Sequence, residues 1–383
     1  MPYMTRESCV SDLARTVSVL PNLRFIDLPE GIYRDSSSAD VLKQELQSRC
    51  HDLRKMKYTT GAEGSFSMLP QTRQWQNLEV LELSHLSIEP SALIYALSSF
   101  PVLHQVKLLD LPLLDDTIFH SNPQQISFPP LTNLSLQDTP NITANGLLTY
   151  LSQPQTRSSL SALHLNNTGI LIDSLFRILA SAPHLTALHI TETVSRALPP
   201  TPLPPLAARS LRTLHFLISS PSTISPKPSP PSDSYYTYLS TSLLASHLPS
   251  LHSLYALSPS LPSLLLPPPS APFAPTTTKP RALPRALHLY TKAILEMEWQ
   301  YTHLSPPTLH NRRGSATATR PVSLYSDGLG GLGGPKLGEQ WGGNARDSVL
   351  VGNGFGGFLA VPSDEKGAAR PRSRGREIGG WMG

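Results

Sequence analysis

The chain has 383 residues, of which 15% are charged and 39 are proline, and its formal charge is +4 at pH 7. That length admits two or three ordinary domains or one elongated array. The charge is too small for an electrostatic nucleic-acid binder, and no apolar run reaches the roughly 18 residues a membrane helix needs, so neither nucleic acid nor membrane is an expected partner.

The charge is unevenly spread. From Lys279 onward there are 14 Lys+Arg against 8 Asp+Glu, a net of +6, which leaves 17 against 19 in the remainder. Cys9 and Cys50 are the two cysteines, too few for a disulfide framework and without metal-ligand spacing. A reducing compartment, cytoplasm or nucleus, is therefore expected. The opening "MPYMTRESCVSD" has no apolar leader core, so Asn133, Asn141 and Asn166 are read as chance glycosylation motifs.

In chain order, "CVSDLARTVSVLP" (9–21) reads as a helix without a strand before it. Residues 1–22 are thus a partial first unit whose open side needs a cap, a partner or a preceding unit. A frame L-x-x-L-x-L then begins at 23, 53, 78, 103, 131, 160, 185, 211 and 251. Its first copies are Leu23/Ile26/Leu28, Leu53/Met56/Tyr58, Leu78/Leu81/Leu83 and Leu103/Val106/Leu108. Leu131/Leu134/Leu136, Leu160/Leu163/Leu165, Leu185/Leu188/Ile190, Leu211/Leu214/Phe216 and Leu251/Leu254/Ala256 follow. The first eight copies recur every 25–30 residues. In each copy the fourth and sixth positions alternate with polar ones, as a strand with one buried face requires. Helix-period stretches follow the strands, as in "SALIYALSSF" (Leu93, Leu97, Phe100) and "DSLFRILASA" (Leu175, Ile178, Leu179). A strand and helix that cannot bury their apolar faces alone do so by stacking on the next copy. The expected fold is α/β, a leucine-rich-repeat solenoid with parallel strands on its concave face and helices on its convex face.

"LTNLSLQDTPNITANGL" (131–147) resembles the cysteine-containing type of leucine-rich repeat, L-x-x-L-x-L-x-x-C-x-x-I-T-D-x-G-L, with Thr139 for the Cys and Ala144 for the Asp. "LHQVKLLDLPLLDDTI" follows it loosely, with Leu111 in the Cys slot. The stretch 13–260 is similar to fungal F-box/leucine-rich-repeat proteins. That resemblance implies the substrate-recognition part of an SCF-type ubiquitin ligase, in which an F-box holds a Skp-type adaptor and the repeat face holds the substrate. "LPEGIY" (28–33) superficially matches an F-box opening, but Leu28 already serves the first repeat and "RDSSSAD" is polar where an F-box needs apolar helix. A Skp-type adaptor is therefore expected only if an F-box lies upstream.

The solenoid is expected over 23–218, and its order loosens after Ile190. "ALPPTPLPPLAAR" (197–209) and "SPSTISPKPSPPS" (220–232) are proline-rich and expected to be extended and mobile. Pro199, Pro202 and Pro205 make P-x-x-P steps, a ligand type for aromatic grooves. Residues 219–250 read as such an insertion followed by a helix. Residues 251–304 read as the last units and a cap, with "AILEMEWQY" (293–301) as a tenth copy or a helix. Residues 305–383 read as a disordered, Gly-rich basic tail.

The candidate binding residues lie on the solvent face of the strands. The fifth-position column runs Asp27, Lys57, Glu82, Lys107, Ser135, His164, His189, His215, Tyr255, and Lys55 and Asn133 stand beside it. Lys55, Lys57, Glu82 and Lys107 suit a mixed-charge protein contact or a plain solvated face. Three histidines on adjacent strands about 5 Å apart would suppress one another's protonation and respond to pH. No carboxylate is placed to orient the imidazoles for a metal, and no metal or cofactor is expected.

No G-x-S-x-G, H-E-x-x-H or P-loop occurs, so no enzyme is expected. "SVLVGNGFGGFLAVP" (348–362) contains G-x-G-x-x-G, but Pro362 falls where a dinucleotide site needs a helix. Its apolar start instead suits strand addition to a sheet edge. "RRGS" offers Ser315 to a basophilic kinase, with Ser323 and Ser348 as weaker sites, and "RPRSRGR" (370–376) reads as a solvated basic tail. The reading is a non-enzymatic protein-recognition solenoid. The alternative is a repeat scaffold or signalling adaptor that uses the proline-rich loops and the tail.

Overall fold

The computed structural model describes residues 6–29, 31–120, 127–199, 202–221, 230–266, 283, 285–305 and 349–351. The chain opens with α1 (Arg6–Ser18) and α2 (Ser37–Arg49). Then come β1 (Lys55–Thr59), α3 (Glu63–Thr72), β2 (Val80–Ser84), α4 (Pro90–Ser98), β3 (Gln105–Leu109) and β4 (Asn133–Thr143). The middle holds α5 (Ala144–Ser152), α6 (Pro154–Ser159), β5 (Ala162–Gly169), α7 (Leu175–Ser181), β6 (Ala187–Thr193) and β7 (Thr213–Ser219). The last elements are α8 (Ser232–Leu244), β8 (Ser253–Ala256), α9 (Leu261–Leu265), β9 (Leu287–Thr291), β10 (Trp299–Leu304) and β11 (Val349–Val351).

β1 to β10 form one open, mostly parallel sheet in strict chain order, and β11 adds to its end. β1 to β9 are parallel, whereas β10 and β11 run antiparallel. A strand order that never reverses, joined by right-handed crossovers, sends every connection over the same face. The helices therefore share one side of the sheet and the other side stays open. The L-x-x-L-x-L positions from Leu53 to Ala256 point to the covered side, and all are buried, most at 0% exposure. Each such leucine contributes about 1.5–3 kcal/mol of transfer free energy.

The strand ends show how the chain turns off the sheet. His85, Asp110, Asp138 and Asn167 all have φ between 48° and 55°, one residue per crossover. Short polar side chains tolerate this left-handed turn by bonding locally. Here they also bond across units: the His85 ring nitrogen Nδ1 meets Asp110 Oδ2 at 2.8 Å, and Asn167 Nδ2 donates to Asp138 Oδ1 at 2.8 Å. Asp116 holds Thr143, the N-cap of α5 in the next unit, by accepting from its N at 2.7 Å and from its hydroxyl at 2.5 Å. A Cβ on Gly146 would stand 2.2 Å from Asp116 Oδ1, so this glycine is required by close approach.

Several expectations need correction. Residues 293–301 are neither a tenth copy nor a helix. Ile294, Leu295 and Met297 are exposed, and Trp299 starts an antiparallel strand. The next strand is β9, where Leu289 and Thr291 take the buried slots in register with Leu254 and Ala256. The proline-rich segment 197–209 is not free where described, because Leu206 and Ala208 are buried and the segment is bonded to α8. "LPEGIY" sends Leu28 and Tyr33 into the core, Tyr33 edge-on to Tyr58. The first frame copy, at Leu23/Ile26/Leu28, makes one bridge, Phe25 to Lys55, rather than a strand. The seventh frame position, which strand alternation would turn to solvent with the third and fifth, faces inward at Thr59 and Ser84. One expectation holds among these: Val349–Val351 adds to the sheet's end as a strand, antiparallel to β10. Residues 222–229, 306–348 and 352–383 lie outside the described part, and with them Ser315, Ser323, Ser348 and the basic 370–376 segment.

Candidate recognition face

Parallel, in-register pairing converts the fifth-position column into a physical line. Lys57, Glu82, Lys107, Ser135, His164, His189, His215, Tyr255 and Tyr290 are successive cross-strand partners. Neighbouring strands lie about 4.8 Å apart, close to the spacing at which aromatic rings stack. The C-terminal half of the line exploits this. His164 and His189 are stacked with centroids 5.4 Å apart, His189 and His215 at 4.7 Å, His215 and Tyr255 at 4.1 Å, and Tyr255 and Tyr290 at 4.5 Å. The last three pairs are within 7° of parallel. Trp299 closes the line with its ring at 90° to Tyr255 and 5.6 Å away, and Lys292 Nζ lies 4.9 Å from the Trp299 ring centre. His164, at the start of the line, is exposed; the other rings are half-buried.

Close packing sets their protonation. Burial pushes His189 down to about 4, reinforced by His215 and His164. Burial also lowers His164, with Lys107 adding to it, and lowers His215, with His164 adding to it. Burial and then Tyr290 raise Tyr255. The three imidazoles and the Tyr255 phenol are therefore uncharged together at neutral pH. The mutual suppression expected from the spacing adds to burial at His189 and His215. Stacked imidazoles also keep their in-plane lone pairs parallel rather than convergent, a poor arrangement for sharing one metal ion. Among the described residues no group of three His, Cys, Asp or Glu could hold a metal.

The N-terminal half is charged and self-paired. Lys55 Nζ reaches Glu82 Oε1 at 3.1 Å, across from β1 to β2. Lys57 and Lys107 flank Glu82 in the line. Asn133 belongs to the adjacent column, where its Nδ2 donates to Gln105 Oε1 at 3.3 Å and its Oδ1 accepts from Ser161 Oγ at 3.4 Å. From Lys55 to Tyr255 the sequence-predicted face residues thus lie on the open side, in two columns, while Asp27 has no place in the sheet. Tyr290 and Lys292 at β9 and Trp299 on β10 were missed. The frame at β9 has Ala286 and Thr291 where leucine is usual, which hid it, although "LHLYT" does alternate.

Elsewhere, burial raises the Cys50 thiol, with Glu45 adding to it, so the thiolate is disfavoured. Among the described residues no helix is long and apolar enough to cross a membrane. No family model matches the chain, and no curated protein matches its sequence.

Proposed function

We propose that the chain is a leucine-rich-repeat solenoid whose open, concave sheet face recognises a protein partner without catalysing a reaction. The observation that carries this reading is the unbroken ring line from His164 to Tyr290, ended by Trp299, on a face that rigid strands hold in register. Aromatic and imidazole groups offer large contact area at low entropic cost, and an uncharged strip is cheap to desolvate. The charged strip at Lys55, Lys57, Glu82 and Lys107 sets orientation rather than affinity. By its resemblance to F-box/leucine-rich-repeat proteins, the partner is a substrate delivered to an SCF-type ubiquitin ligase.

The test is affinity capture from fungal cells with the full chain and with a His164→Ala/His189→Ala/His215→Ala variant. A partner bound by the first and lost at least tenfold by the second supports the reading. Equal capture by both sinks it. Absence of a Skp-type adaptor from complexes of the full-length protein removes the ligase part and leaves a recognition scaffold.

A further inference from the structure

The connection between β6 and β7 contains no helix among its described residues; its proline-rich chain lies instead along α8, which follows β7. Its contacts are made by side-chain hydroxyls of the helix to backbone groups of the segment. Leu198 N donates to Ser234 Oγ at 2.9 Å, and Leu206 N donates to Ser242 Oγ at 3.1 Å. Tyr235 OH donates to the Arg196 carbonyl at 3.1 Å, and Tyr238 OH donates to the Pro204 carbonyl. Just beyond the helix, Ala208 N donates to the His247 carbonyl at 3.1 Å. Ser234, Tyr238 and Ser242 are four residues apart, so they and Tyr235 form one stripe along the helix. The two serines spend their own protons on helix carbonyls, Ser234 on Pro231 and Ser242 on Tyr238, which leaves their oxygens free to accept.

This is a recognition chemistry rather than a packing accident. A proline-rich chain has carbonyls that no internal hydrogen bond uses and few N–H groups. The α8 stripe supplies phenolic donors for those carbonyls and serine acceptors for two of the remaining N–H groups. Leu206, 2% exposed, fixes the register, while Pro202, Pro204 and Pro205 are exposed. Because the polar contacts go to the backbone, the surface reads the proline-rich character and one leucine anchor, not a long exact sequence.

We propose that the Ser234/Tyr235/Tyr238/Ser242 stripe of α8 is a polyproline-recognition surface, occupied in cis by residues 196–199 and 202–208, which accepts a proline-rich peptide with a leucine anchor when that segment is displaced. It lies on the helical side of the sheet, away from the ring line, and stands or falls independently of the function proposed above. The probe is a labelled peptide of residues 195–209, titrated against the full-length chain and against a full-length variant in which 197–206 is an equally long Gly/Ser linker. The linker variant, shown folded by circular dichroism, binds saturably, and the wild type at least tenfold more weakly. Adding Tyr235→Phe/Tyr238→Phe to the linker variant weakens binding about tenfold, as loss of two hydrogen bonds should. A folded linker variant that takes up no peptide, or a wild type that binds equally well, overturns the proposal. Should the linker variant not fold, limited trypsin digestion of the intact chain decides. With Tyr235→Phe/Tyr238→Phe, cleavage after the exposed Arg196 and Arg209 accelerates about tenfold, and unchanged rates overturn the proposal.

Discussion

The two halves of the open face share one backbone plan and differ in what stands on it. From β1 to β3 the line carries Lys57, Glu82 and Lys107; from β5 to β9 it carries His164, His189, His215, Tyr255 and Tyr290. Both halves use the same strand spacing, and beneath both lie leucines at 0–2% exposure. With charged residues that spacing yields a part-buried cross-strand ion pair, Lys55 to Glu82. With flat rings it yields a stack in which burial lowers the three histidines and raises Tyr255. The same scaffold thus produces a charged surface and an uncharged, π-rich one, according to the side chains each strand turns outward.

The largest test concerns what the halves have in common. Leu81→Ala, beneath the charged half, and Leu188→Ala, beneath the rings, should each cost about 2–5 kcal/mol by denaturant unfolding. A gap between them beyond that range would place the contrast in the core rather than on the face.

Acid should separate the halves next. His189 has a folded pKa of about 4 against an ordinary 6.5, and His164 and His215 are lowered too. Between those pH values the unfolded chain binds more protons, so the rings' stability is full above about 6.5 and falls as pH drops towards 4. After solvent screening the loss is on the order of 1 kcal/mol. Glu192 works in the opposite sense. Burial, then Asp173, raise it to about 7, so its contribution is full below the ordinary 4.5 and is lost as pH rises through 7. Stability is therefore measured against pH in Glu192→Gln, which removes that opposing slope. Replacing all three histidines with glutamine should then reduce the acid slope, leaving the part that the lowered His288 contributes.

Extending the stack sharpens the boundary. Ser135 sits between Lys107 and His164, and Ser135→Tyr should add a ring to the line and about 0.5–1 kcal/mol, read as a raised melting temperature. The smallest effect belongs to the charged half. Lys55→Ala should cost about 0.2–1 kcal/mol at low salt and almost nothing at high salt, while the Ser135→Tyr gain should persist in salt.

Much of the face was legible from residue order, because a strand alternates with period two and parallel neighbours in register carry each frame position into a column. That rule placed His164, His189, His215 and Tyr255 in line. It failed where the frame lost its leucines, at β9, and where composition suggested freedom, at residues 197–209. A proline-rich sequence states which hydrogen bonds it cannot make internally; it does not state that a distant helix will make them.

The local sequence by itself determined the strand period, the buried triplets and which side chains share a column, since these follow from backbone geometry within each unit. Only the tertiary structure decided that the rings lie parallel and neutral, that Trp299 folds back to close their line, and that α8 holds the proline-rich chain. Each of those depends on distances between units, and such distances are fixed by packing many residues at once.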